Sequence, residues 1–366
     1  MIREELSSHV EIASVYPNER EYAEFVEQRL HEAGFDVQRQ KVEEDRFNVL
    51  ARKGDGETTV GFYGHLDTVA GSWDRNQYDP WVSDGRLYGL GACDMKAGNL
   101  AIIRATEEIP ENVTVEVAFG VDEEYYSKGS TKLVDSGWFS GAEIVIVPEV
   151  GDKKSHSDVG LGRRGRVSIE ATVFGTAAHA ARPHEGESAI RNAITFVDEL
   201  DAIELAVDED MGAGQLTIRR FHADAGSLSI PRKASVLIDR HTVIGETGDA
   251  CVSQVEAAAD RAGIDADVEL FDRPTRYLDP YKTSADVPIV SRFLDVVDER
   301  HGSPSAFYGQ SVADENRLAE LGVPVISYGP IGGNEHAENE WVDLESVAEL
   351  VGTYEQFLAS VSELPT

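Results

Sequence analysis

The chain has 366 residues, enough for about two domains and a large core, and its 41% apolar content with only 13 prolines excludes a disordered polymer. Its 33 Lys and Arg against 67 Asp and Glu leave a formal charge of −34, which repels nucleic acid and anionic membranes and excludes both as partners. Most of the basic residues are arginines; an acidic, lysine-poor surface of this kind is halophile-like, because high salt screens its self-repulsion, with an ordinary acidic cytosolic protein as the alternative.

The N-terminal stretch MIREELSSHVEIAS is charged, and no run along the chain reaches membrane-spanning length. The expectation is a soluble, cytoplasmic protein. Asn18 with Glu21 reads as an N-cap pair, followed at helical spacing by Tyr22, Phe25, Val26 and Leu30, and Gly34 ends that helix. Apolar strand-like runs follow at 47–51, 58–64, 113–120 and 142–149, with a helix over about 96–108 between the second and third. Near-continuous apolar strands alternating with helices predict an α/β sheet covered on both faces, with functional groups gathered beyond the strand ends.

The middle of the chain changes character. Residues 165–175, 213–223 and 235–243 alternate apolar and polar side chains, as one-sided antiparallel strands do. Helices over roughly 186–202 and 248–262 interleave, and VELFDR supplies a closing strand. This predicts an inserted α+β unit of β-α-β-β-α-β, ferredoxin-like order. Helical pattern resumes at 284–300, then comes the apolar GVPVISYGP and a last helix over about 344–358, which return the chain to the first domain. The predicted division is 1–160 with 276–366, and 161–275 inserted.

Metal-competent side chains sit at the predicted strand ends and in Gly-rich loops: His65 and Asp67 in GHLDT, Asp94 in GACDMKAG, Glu123 and Glu124 in VDEEYYSKG, Glu149 after IVIVP, and His336 in GGNEHAENE. Imidazoles and carboxylates are the usual ligands of catalytic zinc and of two-metal sites. Taken singly each has an ordinary structural reading: a satisfied histidine, an N-cap aspartate, a solvated acidic turn. Together, in compatible places, they read as a two-metal hydrolase. His65 and Asp67, two apart, project to the same side, as a ligand histidine and an orienting carboxylate do. Adjacent Glu123 and Glu124 diverge, so one can bind metal while the other serves as a base. Cys93, beside Asp94, lacks a nucleophile's partners and reads as a small packed residue. With only Cys251 besides it, no disulfide framework is expected.

These segments, with GLGACDMKAG at 89–98 and HAARPHEGESAI at 179–190, resemble in order the metallo-amidohydrolase family that includes acetylornithine deacetylase, succinyl-diaminopimelate desuccinylase and carboxypeptidase G. The resemblance covers essentially the whole chain. It implies a zinc-peptidase-like catalytic domain with a mixed central sheet flanked by helices, and an inserted dimerisation and lid domain. It further implies two divalent metal ions, zinc with cobalt or manganese as alternatives. Asp94 would bridge them, His65 and Glu149 completing one and Glu124 and His336 the other. Glu123 would be the general acid/base acting through a hydroxide shared by the ions, and Asp67 would orient His65. His179 would reach a neighbouring subunit's site and polarise the scissile carbonyl, which implies a homodimer. The implied reaction is hydrolysis of the amide bond of an N-acyl amino acid or short peptide, with a di-, carboxy- or aminopeptidase of the same family as the alternative.

The chain departs from the family where many members hold a substrate carboxylate. Leu228 stands in the place of an Asn and His241 in the place of an Arg, while Arg240 points to the other strand face. Arg163, Arg164, Arg166 and Arg232 are the candidate substitutes, or are structural or surface arginines. A catalytically silent binding protein would lack a ligand or Glu123, and none is lacking. GDGE and GLGACD have neither the Lys-Ser/Thr of a phosphate-binding loop nor a full dinucleotide fingerprint.

Overall fold

The computed structural model describes residues 2–71, 73–150 and 154–361. The chain divides into two compact units, Met1–Arg163 with Lys282–Gly309 and Ala313–Thr366, and Arg164–Tyr281 with Gln310–Val312.

The first unit begins with helices α1 (Ile2–Val10) and α2 (Arg20–Glu32), then strands β1 (Asp36–Lys41), β2 (Phe47–Lys53) and β3 (Thr58–His65). Two short strands, β4 (Trp81–Ser83) and β5 (Arg86–Tyr88), precede α3 (Ala97–Ala105), β6 (Val113–Gly120), α4 (Lys128–Asp135), β7 (Ile144–Val147) and β8 (Asp158–Arg163). The second unit carries β9 (Gly165–Phe174), α5 (Ala189–Leu200), a ribbon of β10 (Val207–Asp208) and β11 (Gly212–Ala213), β12 (Gln215–His222), β13 (Lys233–Thr242), α6 (Gly248–Ala262) and β14 (Ala266–Leu270). After β15 (Tyr281–Lys282) come α7 (Pro288–His301), β16 (Ser305–Gly309), α8 (Asp314–Leu318), β17 (Val325–Ser327), β18 (Gly332–Gly333), β19 (Trp341–Asp343) and α9 (Leu344–Val361).

The main sheet of the first unit runs β1-β2-β6-β3-β7-β17-β8, with β16 beside β8. Its centre, β6-β3-β7-β17, is parallel, and antiparallel pairing of β2 to β6 and of β8 to β17 makes it mixed. Every residue of β6 is buried, which only a sheet covered on both faces provides. The core joins Val60 and Phe62 of β3 and Val115 and Val117 of β6 to the apolar stripes of α2, α3, α7 and α9. Phe62 packs on Tyr354 of α9 at 5.0 Å between ring centres, and Phe293 of α7 meets Phe357 edge-on at 5.1 Å. Each such side chain contributes on the order of 1.5–3 kcal/mol by leaving water.

Helix α2 corrects one sequence expectation. The residue before its first turn is Glu19, and no side chain caps it. Asn18 is used in a turn through its backbone, donating to Val15 O at 2.8 Å. The Glu19 carboxylate accepts instead from Arg46 Nε at 2.9 Å and Nη2 at 2.5 Å. A buried ion pair outcompetes the local cap, because both groups lose water and must find each other.

The second unit is an antiparallel sheet of order β12-β13-β9-β14. Val167, Ile169, Ala171 and Val173 of β9 and Ala234, Val236 and Ile238 of β13 share its buried face with Phe196 of α5 and Val255 of α6. The alternation read in residues 165–175 and 235–243 thus becomes one apolar face under two helices, in the β-α-β-β-α-β order, whereas β12, read the same way, is exposed at every residue but Leu216. Among the described residues, no helix is long and apolar enough to cross a membrane.

Candidate metal centre

The register of the parallel strands aligns their carboxyl ends. His65 pairs with Gly120, and Phe62 with Ile146. His65 therefore ends β3 on the edge where Glu123 and Glu124 follow β6 and Glu149 follows β7. Asp94 comes to this edge on an irregular turn over Ala92–Lys96, where its own φ and ψ are −119° and 91° and its peptide bond to Met95 is cis. His336 lies between β18 and β19, strands that pair as a hairpin, and adopts a left-handed φ of 59°.

Asp94 faces two ways. Its Oδ1 is 2.8 Å from His65 Nε2, and its Oδ2 is 3.2 Å from His336 Nε2. His65 Nε2 is also 3.4 Å from Glu149 Oε1, and His336 Nε2 is 3.0 Å from Glu124 Oε2. Two triads result, His65–Asp94–Glu149 and Asp94–Glu124–His336, with Asp94 common to both and the donor atoms of each within 4.8 Å of one another. A third group of the same span, His65–Glu123–Glu124, brings Glu123 to the centre. Donors this close, drawn from five separate segments, have the spacing that a shared carboxylate gives a dinuclear site.

So many carboxylates in a desolvated space demand positive charge. Burial works to lower the His65 pKa, but Asp94 and Glu149 outweigh it and hold it well above the ordinary histidine value. Hydrogen bonds to Asp94 and Glu124 raise that of His336 to about 10. Burial opposes ionisation of Asp94, yet His336 and His65 together hold its carboxyl below the usual range. Burial, then the Asp94 charge, raises Glu149 to about 7. Burial with the charge of Glu124 and other carboxylates holds Glu123 well above an ordinary glutamate, against the pull of His65. A divalent cation is the natural complement of such a set.

The surroundings aim the donors. Nδ1 of His65 donates to the backbone oxygen of Asp67 at 2.9 Å, which fixes the proton on Nδ1 and leaves Nε2 as the ligating nitrogen. The Asp67 carboxylate is used differently from the expectation: its Oδ1 is 3.9 Å from Nδ1, and its two oxygens accept from Glu123 N and Glu124 N at 3.0 Å each. Asp67 thus orients His65 through its carbonyl and the paired glutamates through its side chain. Asn99 of α3 donates to His65 O at 2.7 Å, and Gly64 is required there because a Cβ would fall 2.1 Å from Asn99 Oδ1. Asp122, at a left-handed φ of 72°, accepts from Lys128 N at 3.1 Å and lies 3.5 Å from Arg46. Tyr63 and Ser130 both donate to the buried Asp314 of α8.

One residue of this setting has no signal in the sequence reading. Glu340, 2% exposed, accepts three backbone N–H groups of the turn that carries Asp94. It stands four residues beyond His336 in a Gly- and Asn-rich loop, where nothing local distinguishes it from a solvated acid.

The donor set consists of imidazole nitrogens and carboxylate oxygens, which suits zinc, manganese or cobalt. Cys93 belongs to none of the donor groups; it is fully buried with Sγ 3.9 Å from Gly333 O, a packed residue as expected. His179 belongs to the second unit, is exposed, and accepts from Ala181 N through Nδ1 at 3.1 Å, which leaves Nε2–H as a donor. Leu228 is 82% exposed, His241 is partly buried, and Arg240 is buried against Glu246. Of the candidate substitute arginines, Arg163 pairs with Glu315 at 2.9 Å, Arg166 with Asp239 at 2.9 Å, and Arg164 donates to Met211 O at 2.6 Å. Arg232 is exposed.

The chain is similar to known proteins over nearly its whole length. The model of peptidase family M20/M25/M40 matches residues 61–360. A succinyl-diaminopimelate desuccinylase of Thiobacillus denitrificans is 27% identical over 363 residues, spanning 94% of this chain and 91% of that protein. In structure, the aminopeptidase PepT of Bacillus cereus superposes with a TM-score of 0.84 at 20% identity, covering 99% of this chain and 98% of the other. The YXEP protein of Bacillus subtilis, described as a dinuclear metal-binding peptidase of family M20, gives 0.73 at 15% identity over 98% and 97%.

Proposed function

The chain belongs to peptidase family M20/M25/M40, and from that membership we propose that it is a dinuclear, metal-dependent hydrolase of the amide bond in an N-acyl amino acid or short peptide. The observation that carries this reading is the two-faced Asp94, one oxygen toward His65 and the other toward His336. His65 and Glu149 would hold one ion, Glu124 and His336 the other, with Asp94 common to both. Zinc suits these donors best, with cobalt or manganese as substitutes. When bound, the cations acidify water and polarise the scissile carbonyl.

The protein's own groups carry the proton traffic. Glu123 lies among the donors with its main chain fixed by Asp67, and takes a proton from the attacking water and returns it to the leaving amine. Its place among the donor atoms suits a group that must take that proton and hold it between the two steps. His179, with Nδ1 occupied, offers Nε2–H to the carbonyl oxygen as negative charge develops there. In this reading it serves a partner's site, within a homodimer formed through the inserted domain, residues 161–275. An equal mixture of His179→Ala and Glu123→Gln chains, each strongly impaired alone, is then expected to regain activity well above either after subunit exchange; demonstrated heterodimers without that gain would sink the role in trans.

The direct test is turnover of N-acetyl, N-succinyl and N-formyl amino acids alongside dipeptides, with the native metal identified by elemental analysis. Chelator-sensitive release of amino acid from the acylated set is expected; cleavage of peptides only would move the assignment to the family's peptidases. No turnover, with no metal taken up, would remove the proposal. Exposed Leu228 and partly buried His241, which by the resemblance stand in the places of a substrate-holding Asn and Arg, support a substrate without that carboxylate contact.

The composition supports salt adaptation. At 1 M salt the Debye length falls to about 3 Å, so repulsion within a chain of net charge −34 is screened. The unfolding temperature is expected to rise steeply with potassium chloride, and a flat profile would count against it. Two buried, unpaired cysteines, Cys93 and Cys251, support a reducing, cytoplasmic location, which cell fractionation would check.

A further inference from the structure

We propose that Glu340 is a positioning residue of the metal centre, clamping the Asp94 turn to the hairpin that carries His336 so that the two donors meet at one ion. The inference rests on the metal-centre reading above and adds a residue to it.

Two sets of contacts carry it. The backbone oxygen of Glu340 accepts from Gly89 N at 3.1 Å, at the foot of the hairpin where Trp341 of β19 pairs with Tyr88 of β5. Its side chain then reaches into the next turn. Oε2 accepts from Gly91 N at 2.7 Å, and Oε1 accepts from Cys93 N at 2.9 Å and from Asp94 N at 3.1 Å. That turn starts from a left-handed Gly91 and is non-helical at Asp94 and Met95, so these three N–H groups need an acceptor from elsewhere. A buried carboxylate carries a large desolvation cost unless it is fully bonded. Three charge-assisted bonds supply that bonding and set the turn firmly.

The hairpin side is equally constrained. Gly332 lies so close to the same turn that a Cβ would fall 2.4 Å from Cys93 Cβ. Asn334 Nδ2 donates to Asn339 O at 3.2 Å, closing the loop on which His336 stands. His336 and Asp94 thus belong to segments distant in sequence, and Glu340 is bonded into both. Loss of one acceptor oxygen loosens the hold on the turn that carries Asp94 without touching any donor atom.

Glu340→Gln tests this, because it keeps size and replaces one acceptor oxygen by an NH2 that opposes a backbone N–H. Ser346→Ala is the comparator: Ser346 Oγ accepts from Ile331 N at 2.9 Å, so its loss loosens the same hairpin without touching the Asp94 turn. Cobalt(II) is titrated into each protein while its visible absorption and unfolding temperature are recorded. E340Q is expected to bind the ion shared by Asp94 and His336 about 10–100-fold more weakly, with an altered cobalt spectrum, while S346A binds as the unsubstituted chain does. Glu340→Asp, one methylene short, replaces E340Q if that variant is insoluble, with the same expected outcomes. Unchanged affinity and spectrum in the Glu340 variant would overturn its role and leave the metal centre standing. An equal loss in S346A would also overturn it, since any loosening of the hairpin would then suffice. Failure of the unsubstituted chain to bind cobalt would overturn the metal centre and this role with it.

Discussion

Glu123→Gln is expected to lower kcat by about 10²–10⁴-fold, the usual contribution of a general acid/base, while metal content stays at the level of the unsubstituted chain. The substitution is isosteric, and the main-chain bond from Glu123 N to Asp67 Oδ1 at 3.0 Å does not involve the side chain, so the segment keeps its place. Neither triad around Asp94 includes Glu123, so both keep their donors. What disappears is a carboxyl that can accept and return a proton. Turnover within a few-fold of the unsubstituted enzyme, at equal metal content, would remove Glu123 from proton transfer.

Asp94→Ala is expected to strip both ions. The two triads have this one residue in common, so its loss takes a donor from each and removes the anion between two cations. Glu124→Ala differs, because the His65–Asp94–Glu149 triad remains whole. Elemental analysis after gel filtration should therefore find the first variant nearly metal-free and the second with about one ion per chain, as expected for a site whose halves share one bridging ligand. Two ions retained by Asp94→Ala would refute the bridging arrangement.

What could be read from sequence follows from where the physical signal is local. The strands that carry His65, Glu123 and Glu149 are near-continuous apolar runs, and such runs specify a buried strand and therefore a strand end. The alternation in residues 165–175 and 235–243 likewise states which face of the inserted sheet is covered. Signals that depend on tertiary pairing were invisible. Asp314, Glu315, Asn316 and Arg317 are four consecutive polar residues with no apolar neighbour in the run, yet all four are at most 2% exposed in α8. Asp314 is held by Tyr63 and Ser130, and Glu315 by Arg163 and Ser327. No window of sequence contains those partners. The same holds for Glu340, and for Asp67, whose carbonyl and carboxylate exchange the duties that spacing assigned to the carboxylate alone. Asn18 failed in the opposite way: a valid local cap was overridden by the distant pairing of Glu19 with Arg46.

The position of β17 has a consequence for biosynthesis. It lies between β7 and β8 in the main sheet, with Val325 beside Val145, although the whole second unit is synthesised between those two residues. While the ribosome makes that unit, β7 waits with an open hydrogen-bonding edge and an apolar surface. The first unit cannot complete its sheet until the chain beyond Ser327 has emerged. Such long-range pairing slows folding and prolongs the exposure of an aggregation-prone edge.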